Sequence, residues 1–440
     1  MIAQAGTFPA AGNRDHGLRR GIGPFGLAAA IVNVVIGAGI FTLPAGMARA
    51  AGPYAIVAYL LCVVAMGAVV LCFAEAGSRV PTSGGAYGFV EAAFGPLAGF
   101  VAGVLLWLSC VLGAGGIAAA FATTLGRLAP ALAGSGAQAV VIVAIVGVLA
   151  SINLVGSRGA SRFVTAATLI KLVPLLVFIV VGAVFAEPSR LTEGAVPDAG
   201  GIGRAVLLSL FAFQGMETVL GASGEVADPA RTLPRGLVGA MAFVALAYVA
   251  IQLVAQGLLG AGLATSTAPL ADAMATIDPR LGLLLVIGAT VSMGAWLGSD
   301  LLGAPRMLFA FARDGFLPRA LGGVSPITGV PRAAIIVHAV ITAALAVTGA
   351  FETLIVLSVL SACGLYAAGC AAAWVLRRQG VALAGPPLKL PVLSLLASLG
   401  CGSMIVAILL ARWSEIGGFV AAVAASCLLY WLRAARRSAT

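Results

Sequence analysis

The chain alternates long apolar runs with short polar punctuation. Twelve apolar runs can be drawn, at 25–48, 53–76, 97–124, 138–155, 162–185, 204–225, 233–260, 281–305, 332–350, 353–376, 391–411 and 416–432. A helix crosses the hydrocarbon of a bilayer in about 20 residues, so each run predicts one membrane span. Hydrocarbon offers backbone N–H and C=O groups no water, which makes helix the expected form of every run. The ten-residue alternation of a transmembrane β-barrel strand is not visible in the sequence. Proline, glycine or charge marks nearly every junction between runs.

Composition strengthens this picture. The 440 residues are 61% hydrophobic and 9% charged, whereas a soluble domain carries about 25% charged residues to cover its surface. The net charge of +10 is spread over alternate ends of the runs instead of forming one patch, which argues against a nucleic-acid partner. The seven cysteines sit inside or at the edge of apolar runs without C-x-x-C spacing. They read as buried structural thiols, not as disulfides or metal ligands.

The basic residues also orient the spans. With the N-terminus inside, eighteen Lys and Arg fall on cytoplasmic segments, among them Arg79, Arg158, Arg162, Arg313, Arg377 and Lys389. Six fall on outer segments: Arg49, Arg127, Arg190, Arg204, Arg280 and Arg412. This is the positive-inside bias, and it predicts an even number of spans with both termini cytoplasmic in the inner (plasma) membrane. Residues 1–20 lack an apolar core and end on Arg14, Arg19 and Arg20, so they read as a cytoplasmic tail and not a signal peptide. The longest outer loops, 186–203 and 261–280, are too short for a domain. Function is therefore expected among the helices. The expected organisation is a tail at 1–24, a five-helix unit at 25–185, a second at 204–376, two further helices at 391–432 and a tail at 433–440. Five helices per unit make the second inverted relative to the first.

Two runs are interrupted. Run 1 contains Gly37-Ala38-Gly39-Ile40-Phe41 near its middle. Glycine costs about 1 kcal/mol relative to alanine inside a helix. An opening there would expose N–H groups at the head of the next half-helix, a site for a carboxylate; a close-packing face of small residues is the competing explanation. Run 6 contains Phe213-Gln214-Gly215-Met216-Glu217, a polar pair around a glycine deep in an apolar span. Interrupted helices at corresponding places in two halves point to a midplane transport site.

Ionisable residues inside runs are expensive and face the bundle interior. Lys171 lies about ten residues into run 5, three before Pro174. It reads as a fixed cation near the break of helix 1, or else as a lysine that snorkels to the interface. Glu217 reads as a proton carrier, as counter-charge to a cationic substrate, or as a carboxylate bonded to opened backbone. Asp300 in run 8 could face the same cavity and pair with Lys171 or a substrate amine. His338 reads as a satisfied core histidine, and Glu75 with Arg79 as an interfacial pair at the end of run 2.

These residues are similar to a known set. Gly37-Ala38-Gly39-Ile40-Phe41 with Pro44 resembles the helix 1 motif of the amino acid–polyamine–organocation superfamily. Pro81-Thr82-Ser83-Gly84-Gly85-Ala86-Tyr87 resembles its segment between helices 2 and 3. Phe213 to Glu217 with Gly224-Glu225-Val226, Asp228-Pro229, Arg231 and Pro234 resembles helix 6 and its exit, and Arg313-Asp314-Gly315 with Pro318 the stretch after helix 8. The resemblance implies an all-α membrane protein of twelve transmembrane helices with a LeuT-type 5+5 inverted repeat, two extra C-terminal helices, and helices 1 and 6 broken. It implies a substrate carboxylate on the Gly37, Ala38 and Gly39 amides. The substrate amine would meet carbonyls around Ile36 and from Phe211 through Phe213 to Gln214 and Gly215. Phe211 matches an aromatic gate, Glu217 a helix 6 glutamate, and Lys171 a lysine that stands in for sodium. Asp300 departs from the family, falling where arginine/agmatine-type antiporters have tryptophan.

The expected function is secondary active transport of an amino acid by alternating access, sodium-independent and proton-coupled. The alternative is an exchanger for basic amino acids or polyamines, with acidic charge in its pocket. A receptor or intramembrane enzyme is a remote third reading, because two histidines, His16 and His338, leave few catalytic constellations. No cofactor or metal is expected. The expected partners are an amino acid or organic amine, protons and lipid.

Overall fold

The computed structural model describes residues 21–37, 39–80, 85–155, 157–221, 226–383 and 385–438, the side chains of 157–170 and 434–438 excepted. Ala38, residues Pro81 to Gly84 of the second motif, Gly224-Glu225 and the arginines at 14, 19 and 20 lie outside the described residues. So do the side chains of Arg158 and Arg162.

Among the described residues the chain is helical, with one isolated bridge between Ile22 and Val226. Run 1 is two helices, α1 (Pro24–Val35) and α2 (Gly39–Ala51). Run 2 is α3 (Ala55–Arg79), followed by the short α4 (Gly85–Phe94). Runs 3 to 5 are α5 (Pro96–Leu128), α6 (Ser135–Val155) and α7 (Ser157–Phe185). Run 6 is again split, into α8 (Ala199–Ala212) and α9 (Met216–Val219). Next come α10 (Pro229–Leu259), the short α11 (Pro269–Ala275), α12 (Pro279–Gly303) and the short α13 (Pro305–Arg313). The chain closes with α14 (Arg332–Val347), α15 (Phe351–Arg378), α16 (Leu393–Leu409) and α17 (Trp413–Ser438).

Local sequence explains the starts. Proline occupies the first turn of α1, α5, α10, α11, α12 and α13, where its missing N–H would have had no helical partner. Asp198 caps α8 by accepting from Gly201 N at 2.7 Å, and Asp278 caps α12 through Arg280 N at 2.7 Å, each satisfying one orphan donor. The three short helices, α4, α11 and α13, are not visible as apolar runs. Each begins on glycine or proline within what the sequence reads as punctuation.

Eight helical stretches among the described residues are long and apolar enough to cross a membrane, and four further apolar helices are shorter. The molecule is inverted relative to a soluble protein. Large apolar side chains lie exposed on the rim, such as Val143 and Val148 on α6, Val180 and Val184 on α7, and Leu428 and Trp431 on α17. Charged side chains such as Glu75, Lys171, Glu217 and Asp300 are buried inside. Lipid is the solvent that makes this arrangement stable. Of these eight stretches, that of α15 is the most enclosed, with 72% of its apolar stretch buried, and that of α17 the least, with 11%.

Without a hydrophobic drive between helices in lipid, close approach at small residues supplies the packing. A Cβ on Gly369 of α15 would stand 2.4 Å from the Phe73 ring of α3, and one on Gly288 of α12 would stand 2.6 Å from Pro174 of α7. The ends of the bundle carry ion pairs. At one end Arg49 pairs with Glu352 (3.1 Å), Arg204 with Glu415 (3.0 Å) and Arg127 with Asp272 (2.6 Å). At the other, Glu75 takes Arg79 (2.8 Å) and also binds Arg377. Glu75 is fully buried and also accepts from Leu390 N at 3.0 Å. The pair that reads from sequence as interfacial is therefore a buried clamp tying α3, α15 and the 381–390 loop together.

Gly369→Ala is expected to lower the stability of the purified protein by about 1–3 kcal/mol, because Phe73 is enclosed and has nowhere to move. Gly147→Ala, with open space at its Cβ, should not. Thermal unfolding in detergent checks both, and adding Phe73→Leu should recover much of the Gly369→Ala loss.

Candidate functional site

The site is built from the two helix breaks. Helix α1 stops at Val35, and the next N–H groups bond back to it: Ile36 N donates to Val32 O (2.9 Å) and Gly37 N to Val35 O (2.7 Å). Three carbonyls around the stop receive side-chain donors from three other helices. Lys171 Nζ of α7 donates to Asn33 O. Tyr248 Oη of α10 donates to Val35 O at 2.7 Å, and Ser292 Oγ of α12 to Gly37 O at 3.4 Å. Carbonyls released from a helix ladder inside lipid need such partners. Of the two explanations open for run 1, the structure has the opening, with Gly37 and Gly39 each at a close approach as well.

The second break centres on Gly215, whose φ of +122° is a conformation side chains rarely adopt. A Cβ there would lie 2.8 Å from Val34 Cγ1, so the two breaks touch. The Gly215 N–H donates to both carboxylate oxygens of Glu217, at 3.2 and 3.0 Å, and Tyr366 Oη donates to Glu217 Oε2 at 2.6 Å. Glu217 thus braces the opened backbone. Gln214 lies 3.2 Å from Ser358 Oγ, whose single proton goes to the nearer Ser109 carbonyl at 2.7 Å.

A cavity of about 470 Å³ opens beside the breaks. Gly37 and Gly39 line it from run 1, Phe211, Gln214, Gly215 and Glu217 from run 6, and Asp300 from α12. It extends past Tyr87 of α4 toward Met307 and Ala310 of α13, the end of the bundle that carries Arg79. A second cavity, about 460 Å³, lies toward the Arg49 end and is lined by Thr42, Gly46, Leu208 and Glu352. Two rings lie at the inner end of the first. Trp296 covers Gly37, where a Cβ would be 2.5 Å from its ring, and Phe211 covers Gly39 at 3.2 Å. Both rings converge on Gly113 of α5, at 3.6 Å each.

Some residues named from sequence lie elsewhere. Phe213 is buried against Tyr248 of α10, with ring centroids 5.3 Å apart, because two residues along a helical turn rotate a side chain to the other face. The Ile36 side chain is also buried in the core and off the cavity wall. Lys171 sits behind α1, on its carbonyls, and does not pair with Asp300. Asp300 instead binds His338 Nε2 at 2.8 Å. Trp296, Tyr366, Ser292 and Tyr248 are contributors the sequence reading does not name. A polar or aromatic residue within an apolar run was the one available signal, and many such residues face lipid or core.

A helical membrane protein with a central cavity between two broken helices has the form of a solute transporter. The family model described as amino acid permease matches residues 22–432, and the chain belongs to that family. It is 27% identical over 348 residues to a branched-chain amino acid permease of Bacillus subtilis, covering 72% of each chain. It is 28% identical over 319 residues to a serine/threonine exchanger of the same organism, covering 70% of this chain and 71% of that one. It is 32% identical over 336 residues to an uncharacterized transporter of Mycobacterium tuberculosis, covering 75% and 74%. The protein is a multi-pass membrane transporter and not an enzyme.

Gly215→Ala should be strongly destabilising, by about 1–3 kcal/mol from backbone strain alone, with the Val34 clash in addition. Gly239→Ala, also in run 6–7 territory but unobstructed, is the comparison. Unfolding midpoints of the two purified variants provide the check.

Proposed function

We propose that this protein moves an α-amino acid by alternating access, without sodium and coupled to protons. The observation that carries sodium independence is the Lys171 ammonium bonded to the Asn33 carbonyl at the break of α1. A fixed cation occupies the carbonyl field that would otherwise attract a mobile one. The substrate carboxylate binds the N–H groups at the head of α2, around Gly37, Ala38 and Gly39, with the Gly37 N–H leaving its bond to Val35 O to do so. The amine meets the carbonyls freed near Ile36 and from Phe211 to Gln214. Relatives named as a branched-chain permease and a serine/threonine exchanger support a substrate whose constant part is this amine and carboxylate. Glu217 is the proton carrier, its charge regulated by the Tyr366 and Gly215 donors around it.

The architecture that fits this cycle is twelve spans with both termini cytoplasmic in the inner (plasma) membrane. Residues 25–185 and 204–376 form the two inverted units, and 391–432 the last two helices. The cavity running toward α13, closed by Trp296 and Phe211 on its other side, then corresponds to an inward-facing arrangement. The Arg49–Glu352 pair bridges α2 and α15 beside the outer vestibule.

Reconstituted protein should take up labelled leucine or serine under an inward proton gradient and be indifferent to sodium. A sodium-gradient requirement insensitive to pH would overturn both the coupling and the role of Lys171. Glu217→Gln should bind substrate yet lose acceleration by the proton gradient; unchanged gradient-driven uptake removes its role.

A further inference from the structure

The two acids on the cavity wall are not equivalent. Glu217 accepts from Gly215 N through both oxygens and from Tyr366 through one. Asp300 has one partner among the described residues, His338, on Oδ2. Its other oxygen, Oδ1, belongs to a residue that lines the cavity. The side chain is 3% exposed.

How Asp300 is held depends on which nitrogen of His338 carries the proton, and a third residue settles that. Trp107 Nε1 lies 3.2 Å from His338 Nδ1. An indole nitrogen donates and never accepts, so Nδ1 carries no proton. The proton of a neutral imidazole then sits on Nε2, which donates to Asp300 Oδ2. His338 is fully buried and holds the carboxylate in place without cancelling its charge. Arg306 of α13 lines the same cavity, and no ion pair joins it to Asp300 among the described residues.

A nearly buried carboxylate with one neutral donor is unfavourable in a membrane interior unless a cation or a proton joins it. Asp300 lines the cavity, and the cavity is the route by which a cation can reach it. Asp300 lies one helical turn beyond Trp296, about 6 Å along α12, on the side of the cavity away from the break where the carboxylate of an amino acid is placed. We infer that Asp300 is a specificity-determining residue that binds the side-chain ammonium or guanidinium of a basic amino acid, with His338 and Trp107 as positioning residues. This rests on the transport reading above and names the substrate class of the same site.

The test compares lysine and arginine with leucine in binding to the purified full-length protein, by ligand-dependent thermal stabilisation. The native protein should bind the basic amino acids more tightly than leucine, and Asp300→Asn should shift that ratio at least tenfold toward leucine. Two His338 variants separate positioning from packing. His338→Gln retains a donor for Oδ2 and should keep the preference, while His338→Phe retains the ring shape and should lose it. If leucine binds and the basic amino acids do not, or if Asp300→Asn leaves the ratio unchanged, the inference fails and the transport reading stands. A preference kept by Phe and lost by Gln assigns His338 to packing and overturns its positioning role. Binding of no amino acid at all defeats the transport reading itself.

Discussion

A helix interrupted inside a membrane must find new partners for the backbone groups it releases, and the centre of this molecule is organised by that requirement. Helix α1 stops at Val35, and the carbonyls of Asn33, Val35 and Gly37 are claimed by Lys171, Tyr248 and Ser292. These donors come from α7, α10 and α12, so three helices are fixed in position around one break. The second break is closed differently. Its own Glu217 folds back on the Gly215 N–H, and Tyr366 of α15 secures the carboxylate. A lost donor at either place would leave a buried polar group without a partner, at a cost of about 1–3 kcal/mol.

Once the breaks are secured, the cavity follows. Glycines at 37, 39 and 215 let Trp296, Phe211 and Val34 approach the backbone closely. The remaining space is lined by apolar surface with a few polar groups, the usual composition of a small-molecule site. The buried charges around it have distinct duties. Lys171 serves the backbone, Glu217 braces the second break, and Asp300 lines the cavity. The ionic clusters lie at the two ends of the bundle, a separation that α3 with its 25 residues spans at about 37 Å.

The stretch that matches the amino acid permease family, residues 22–432, contains both breaks. Asp300, His338 and Trp107 form a chain across α12, α14 and α5 that belongs to the details of this sequence. Its logic is local: an indole that can only donate sets one imidazole nitrogen as acceptor, and so sets the other as donor to a carboxylate.

Much was legible in the residues alone, because lipid imposes a one-dimensional rule. Apolar runs of sufficient length become helices whatever their neighbours, and the interruptions at Gly37–Gly39 and Gly215 stand out because glycine and charge are costly in such runs. The basic residues at 49, 127 and 204 on one side, and at 79 and 377 on the other, separate along the chain as they do in space. Facing was not legible. A run that is apolar on every side carries no amphipathic signal, so nothing in it told that Phe211 meets the cavity and Phe213 meets Tyr248, or that Trp296 covers Gly37. The short helices α4, α11 and α13 have too few apolar residues to register. Pairings such as His338 with Asp300, or Glu75 with Arg377 over 302 positions, exist only once helices distant in sequence are packed. Sequence therefore determined which segments form apolar helices and where they open. Tertiary structure decided which side chains meet at those openings, because that depends on helix rotation and neighbour, and neither is encoded in a uniformly apolar pattern.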